Sequence, residues 1–251
     1  MLIEPLIQQL THLKLHGMAS ALQQQLSSAE HSRLDFDACL SLMIQHELAA
    51  RDASRLSQRL RWAKLPHRAC VEDLDTRTPR GLEPEMLKPL LSLNWLREHL
   101  NVLITGPCGV GKSYLASALG LAACQGDYSV RCFRLPRLVE ELARYGAQAK
   151  RSAFFKQLAK ADLLLIDDFG LTPLSDSSKR DLLEILEDRY DKKSTLITSQ
   201  LPVDQWHAYI NEPTLADAIL DRLVHNSYRI NLSGASMRKH KALKPSVDTT
   251  P

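Results

Sequence analysis

Gly106-Pro107-Cys108-Gly109-Val110-Gly111-Lys112-Ser113 lies between an apolar run, Asn101-Val102-Leu103-Ile104-Thr105, and a helix-forming segment that opens at Lys112. It fits G-x-x-x-x-G-K-[ST] at every fixed position. The glycines let the backbone curl so that successive N–H groups point inward at phosphate oxygens. Lys112 brings positive charge to the β- and γ-phosphates of a nucleotide, and the Ser113 hydroxyl is a ligand type for Mg²⁺. The helix that follows turns its positive dipole end toward the same anion. Tyr114, next on that helix, completes the candidate nucleotide contacts. The competing reading is a glycine-rich turn that merely joins a strand to a helix. A full match in a strand–loop–helix context outweighs it.

Downstream, Leu163-Leu164-Leu165-Ile166-Asp167-Asp168 is an apolar strand that ends in two carboxylates. In an open α/β sheet ligands bind beyond the carboxyl ends of the strands. Asp167 is therefore expected to hold Mg²⁺ through a water or from the second shell, and Asp168 to orient and polarise an attacking water. Thr195-Leu196-Ile197-Thr198-Ser199-Gln200 is a further strand with a polar end. It brings Thr198, Ser199 or Gln200 toward the γ-phosphate, against the competing reading of a plain strand exit. Strands are predicted at Val102–Thr105, Val130–Phe133, Leu163–Asp167, Thr195–Thr198 and Tyr228–Leu232, with helix-length segments between them. That alternation predicts an α/β core, a five-stranded parallel sheet with helices on both faces.

Upstream, residues 1–66 carry no strand pattern. Leu6, Leu10, Leu13, Leu22 and Leu26 recur at helical spacing, with Gly17 as a weak point between helices. Asp35 is a candidate cap for a long helix from about Phe36 to Lys64, and Pro66 ends it. The domain reading is a small helical N-terminal domain at 1–66 and a junction at 67–100. A nucleotide-binding domain at 101–243 and a disordered tail at 244–251 follow. Within the junction a short helix is expected near Glu85 to Leu93, extended by Trp95 to Leu100.

Hydrophobic residues make up 44% of the 251, and 32 basic against 29 acidic residues give a net charge of +3. This is ordinary globular composition and excludes a disordered chain. The five cysteines are odd in number and lack C-x-x-C spacing, which argues against a disulfide framework or a zinc site. With no signal-type segment and no membrane-length apolar run, the expectation is a cytoplasmic protein without a membrane partner. The net charge alone does not argue for nucleic acid, but its distribution does. Arg51, Arg55 and Arg59 stand at i, i+4 spacing, followed by Arg61, Lys64 and Arg68, with Asp52 the one acid among them. Such a stripe suits the phosphate backbone of double-stranded DNA; a merely solvated face is the competing reading. Arg131, Arg134, Arg137, Arg144, Lys150 and Arg151 form a second basic zone.

The order Gly106–Ser113, Asp167-Asp168, Thr198-Ser199-Gln200 and Asp221-Arg222-Leu223 resembles the AAA+ initiator clade, and within it the IstB/DnaC family. Leu15-His16-Gly17-Met18, Pro79-Arg80-Gly81-Leu82, Asp167-Asp168-Phe169-Gly170, Ala216 to Leu223 and Gly234-Ala235-Ser236-Met237-Arg238-Lys239 extend the likeness over nearly the whole chain. The resemblance is closer to the IstB side, the ATPase subunits of insertion-sequence transposition. It implies an AAA+ P-loop core that binds and hydrolyses ATP with Mg²⁺. It also implies head-to-tail self-association as a ring or helix, double-stranded DNA as a ligand, and a transposase as partner. Gln200 falls where the family has its first sensor, and Arg238 resembles the second. Arg222 matches the arginine inserted into the neighbouring subunit's site, although from its own sequence context a surface ion pair with Asp221 is equally open. The second basic zone lines the interior of the assembly in related ATPases.

Three departures stand out. Asp168 replaces the usual glutamate, which predicts slow hydrolysis. Gln200 replaces the commoner asparagine. Few residues follow Leu232, so the helical C-terminal lid is expected to be largely absent. Three rival functions remain: a replicative helicase loader, a scaffold that binds ATP without hydrolysing it, and a small-molecule kinase, for which no acceptor site is evident.

Overall fold

The computed structural model describes residues 3–27, 35–145 and 148–237, apart from the side chains of 148 and 149. Arg238 and the segment 244–251 lie outside the described residues. The chain divides into two compact units, Met1–Arg59 and Leu60–Pro251.

The first unit comprises helices α1 (Glu4–His12) and α2 (His16–Ser27) and most of α3 (Phe36–Ala63). The Asp35 carboxylate accepts from the Ala38 N–H at 2.9 Å, which caps α3 as expected. Gly17 is not the weak point between helices. The break falls at Leu13–Leu15, with Lys14 at φ 60°, and Gly17 is buried inside α2. A Cβ there would stand 2.6 Å from the Cα of Glu47 and from the carbonyl oxygen of His46. Glycine therefore lets two helix backbones touch. Glu47 fixes the crossing by accepting from the Gly17 and Met18 N–H groups at 2.7 and 3.2 Å.

In the second unit, a junction with helices α4 (Pro84–Leu91) and α5 (Asn94–Arg97) leads into the sheet. The expected extension of α4 through Leu100 is broken by Leu93, whose left-handed φ of 58° starts a separate short helix. The strands are β1 (Asn101–Thr105), β2 (Val130–Arg134), β3 (Leu163–Phe169), β4 (Ser194–Ser199) and β5 (Ser227–Asn231). All pair in parallel, in the order β2-β3-β4-β1-β5. Apolar side chains on both faces make β1 and β3 almost solvent-free, as a doubly covered parallel sheet requires. Helix α6 (Lys112–Gln125) follows β1 and packs across β1, β2, β3 and β4. Leu103, Ile166 and Ile197, neighbours in register, belong to the core built with α7 (Leu135–Arg144), α8 (Gln148–Lys160), α9 (Asp176–Arg189), α10 (Trp206–Ile210) and α11 (Pro213–Val224). No helix among the described residues is long and apolar enough to cross a membrane.

Candidate functional site

Because every strand is parallel, the carboxyl ends of β1, β2, β3 and β4 open on one edge. The strand order inserts β4 between β1 and β3. The loop after β1, the acids of β3, the polar end of β4 and Arg134 at the end of β2 therefore converge, although they are far apart in sequence.

The phosphate loop runs from Gly106 to Gly111 and delivers Lys112 and Ser113 at the first turn of α6. Gly111 has φ 100°, a conformation that disfavours any side chain, and a Cβ there would meet Arg80 Nη1 at 2.5 Å. Lys112 is buried, and its Nζ donates to the carbonyls of Gly106 and Pro107 at 2.7 and 2.8 Å. The ammonium thus sits inside the curl of the loop.

Ser113 Oγ donates to Asp167 Oδ1 at 2.8 Å, and the Thr198 hydroxyl donates to the same oxygen. Among the three polar residues at the end of β4, Thr198 is therefore the one joined to Asp167. Ser199 instead donates to the Phe169 carbonyl at 2.7 Å, and Gln200 lines the cavity beside the loop. The hydroxyl of Ser113 and the buried carboxylate of Asp167 form a hard oxygen pair of the type that suits Mg²⁺. Strand β3 extends beyond the expected end at Asp167, with a register irregularity between Ile166 and Phe169. Asp168 lies at that irregularity with φ 62°, and its N–H donates to Thr198 Oγ1 at 3.3 Å. The kink turns its carboxylate toward β2, where Arg134 Nε and Nη2 both reach Asp168 Oδ2 at 2.6 Å.

A cavity of about 450 Å³ adjoins the loop. Its lining includes the expected Cys108, Gly109, Gly111, Lys112, Ser113, Tyr114, Asp168 and Gln200. It also includes His67, Arg68, Asp73, Asp75, Arg80 and Met237, which spacing along the chain does not reveal. Arg80 is buried, donates Nη1 to the Val110 carbonyl at 2.7 Å, and binds the Asp75 carbonyl through Nη2 at 2.9 Å. The Asp75 carboxylate is held below its ordinary range by hydrogen bonds from the Thr78 hydroxyl and from the Thr78 and Arg77 N–H groups. Met237 N–H donates to the Gly109 carbonyl at 2.9 Å. The junction and the segment after β5 therefore grip the loop from outside. The stretch Pro79 to Leu82 hinted at this only through family likeness, since its approach to the loop is purely tertiary.

Other candidates lie elsewhere. The side chain of Val110 is buried beneath the loop. Arg222 contacts Glu187 and Asp221 at 3.3 and 3.5 Å, and is not among the residues lining the cavity. Of the basic zones, Arg131 is buried against Trp62 and Phe133 and cannot meet DNA. Arg68 lines the cavity, and Arg134 holds Asp168. Arg151 pairs with Asp181 and lies over the Phe155 ring at 5.3 Å. Arg51 and Arg55 pair with Glu47 and Asp52 but remain largely exposed. Arg61, Lys64, Arg137 and Lys150 are exposed, and Arg59 is half-buried.

This strand order, with a phosphate loop after β1 and paired carboxylates near the end of β3, defines an ATP-binding P-loop protein of the AAA+ type. The chain belongs to the IstB-like ATP binding protein family, whose sequence profile matches residues 8–245. It is 46% identical over 244 residues to the insertion sequence ATP-binding protein y4pL of Sinorhizobium fredii, covering 97% of this chain and 100% of that one. It is 30% identical over 245 residues to the IS21 ATP-binding protein of Pseudomonas aeruginosa, covering 96% and 92%. Among solved structures, DnaI superposes with a TM-score of 0.59 at 21% identity, over 66% of this chain and 91% of that one. The DnaC helicase loader superposes with a TM-score of 0.51 at 20% identity, over 63% and 94%. These two likenesses concern the fold.

Proposed function

We propose that this protein is a DNA-stimulated ATPase that assembles on double-stranded DNA and assists transposition, by selecting or remodelling target DNA and recruiting a transposase. The observation that carries the ATPase part is the convergence of Lys112, the Ser113–Asp167 pair and Asp168 on one cavity. Lys112 binds phosphate once its ammonium leaves the loop carbonyls. Mg²⁺ held between Ser113 and Asp167 would supply further charge for the phosphates. Asp168, once released by Arg134, positions and polarises water, and Gln200 monitors the γ-phosphate. Arg222 and Arg238 complete sites in the neighbouring subunit and in their own. The basic face of the helical segment 1–66 contacts DNA phosphates, and the same segment engages partners. The insertion-sequence names of the relatives support the transposition setting. The test is ATP turnover with and without duplex DNA, together with co-precipitation of an insertion-sequence transposase. Absence of turnover in both conditions would refute the hydrolytic part.

One observation favours a second reading. Asp168, the carboxylate assigned to water activation, is tied to Arg134. A scaffold that uses ATP to order its oligomer without hydrolysing it would retain that pair permanently.

A further inference from the structure

The carboxyl end of β1 leads into the phosphate loop. The amino end of the same five-residue strand is Asn101, which the site described above does not use. Asn101 is buried, and its side chain joins β1 to two other elements. Nδ2 donates to the carbonyls of Arg222 and Leu223 at 2.9 and 3.3 Å, and Oδ1 accepts from the Thr195 N–H at 2.9 Å. Both carbonyls belong to the last turn of α11, where no donor remains within the helix. A side-chain amide carries two donors and an acceptor on one planar group, and its partners here fix which way it faces. Thr195 is itself held. The buried Arg189 donates Nε to the Thr195 hydroxyl at 3.2 Å, and Nη1 to the carbonyls of Leu158 and Ala161 at 2.6 and 2.7 Å. The end of α11 is therefore tied to a firmly bonded edge of the sheet.

The Arg222 guanidinium is held differently. It reaches the Ala218 carbonyl at 3.2 Å, Glu187 at 3.3 Å and Asp221 at 3.5 Å, and lies 6.0 Å from the centre of the Tyr190 ring. The side chain is 29% exposed, and both carboxylates are more than half exposed. Ion pairs of that kind are weak, so the guanidinium can leave them for another anion. The backbone from which it springs stays fixed. A fixed origin with a releasable tip suits a side chain that must meet a group outside its own chain in one geometry.

We propose that Asn101 is a positioning residue for Arg222. Its amide fixes the origin of that side chain on the strand that carries the chain's own phosphate loop, and so sets where the guanidinium meets the nucleotide of the neighbouring subunit. The inference rests on the reading of Arg222 as an arginine that acts in trans. Asn101 stands at the far end of β1 from the loop and acts only through the last turn of α11.

A double-mutant cycle on the DNA-stimulated ATP turnover of the full chain tests it. Asn101→Asp keeps an acceptor for the Thr195 N–H but sets a carboxylate against the two α11 carbonyls. It should bind ATP as the parent does and lose about 10- to 100-fold in turnover, since a misplacement of about 1 Å can cost about a hundredfold. Arg222→Ala should lose at least as much. Asn101→Asp added to Arg222→Ala should cost nothing further, because the residue it positions is gone. Mixing gives a second readout. Lys112→Ala, which carries a sound arginine, should restore part of the turnover of Asn101→Asp, whereas Arg222→Ala should not. Asn101→Ala removes the same donors without adding charge; it takes the place of Asn101→Asp if that variant does not fold, and the same results are expected. Losses that multiply in the double variant, rescue by Arg222→Ala, or weakened ATP binding by the Asn101 variant would each overturn the proposal. If Arg222→Ala loses turnover and a folded Asn101 variant does not, this inference fails alone. If Arg222→Ala keeps full turnover, the trans reading of Arg222 fails, and Asn101 has nothing to position.

Discussion

Arg134, the last residue of β2, holds Asp168 of β3 through two contacts of 2.6 Å to a single carboxylate oxygen. The Asp168 side chain is 20% exposed and the Arg134 side chain 49%, so the guanidinium remains within reach of a solvent-side anion such as a DNA phosphate. A carboxylate committed to an arginine is poorly placed to accept a proton from water. Arg134→Ala should therefore raise ATP turnover in the absence of DNA several-fold and blunt its stimulation by DNA. Steady-state phosphate release with and without duplex measures both effects. Unchanged basal turnover would mean that the pair does not restrain Asp168. Asp168→Asn should keep nucleotide affinity while slowing turnover by about 10²–10⁴, the usual contribution of a general base.

Arg222 tests assembly and catalysis together. It rests on Glu187 and Asp221 of its own chain and does not line the cavity beside Lys112. If it serves a neighbour, Arg222→Ala should bind ATP normally yet lose DNA-stimulated turnover by about 10³ or more. Mixing it with Lys112→Ala should restore part of the activity, because one variant supplies a sound phosphate loop and the other a sound arginine. Co-assembly without any recovery of turnover would exclude action in trans.

Cys108 offers a chemical probe of the nucleotide site. It is exposed and lines the cavity, as part of the phosphate loop itself. Cys132 is buried, and burial pushes its thiol up to about 12, so it should stay unreactive in the folded protein. Brief treatment with N-ethylmaleimide, followed by peptide mass spectrometry, should label Cys70 and Cys108 but not Cys124 or Cys132. ATP should protect Cys108 and leave Cys70 reactive. Equal labelling of Cys108 with and without ATP would place the nucleotide elsewhere.

Gly17→Ala separates propensity from packing. Within a helix the exchange should gain up to about 1 kcal/mol. The new Cβ, however, would stand 2.6 Å from the backbone of α3. The clash should outweigh the gain and destabilise the unit by about 1–3 kcal/mol. A lower urea midpoint for the loss of N-terminal helicity is the expected result, and a higher one would contradict the close crossing.

Asp162 makes a pH-dependent contribution. Burial disfavours its charged form, but hydrogen bonds from Lys193 at 2.5 Å and from the Ser129 hydroxyl and N–H at 2.7 and 2.8 Å outweigh that cost and hold it below the usual carboxylate range. A depressed folded value stabilises the fold above the unfolded carboxylate range, and that contribution fades as pH falls through the folded value. Thermal melts of Asp162→Asn should accordingly be lower than the parent at neutral pH and converge with it in acid.

The sequence by itself determined the core. A strand, a glycine loop and a lysine-led helix use chemistry written in consecutive residues, so Gly106–Ser113 and the five strands are legible without coordinates. The same holds for Asp167 and Asp168, whose position at the end of an apolar run already implies the edge where ligands bind. Tertiary structure alone decided what those groups touch. That Arg134 reaches Asp168, that Thr198 and not Ser199 joins Asp167, and that Arg80 grips Val110 all follow from the strand order and from where the junction packs. Gly17 shows the limit most plainly: one residue can signal a helix break or a helix crossing, and local propensity is the same for both. Only the backbone of α3 lying against it resolves the choice, because a contact between segments distant in sequence leaves no periodic trace in either one.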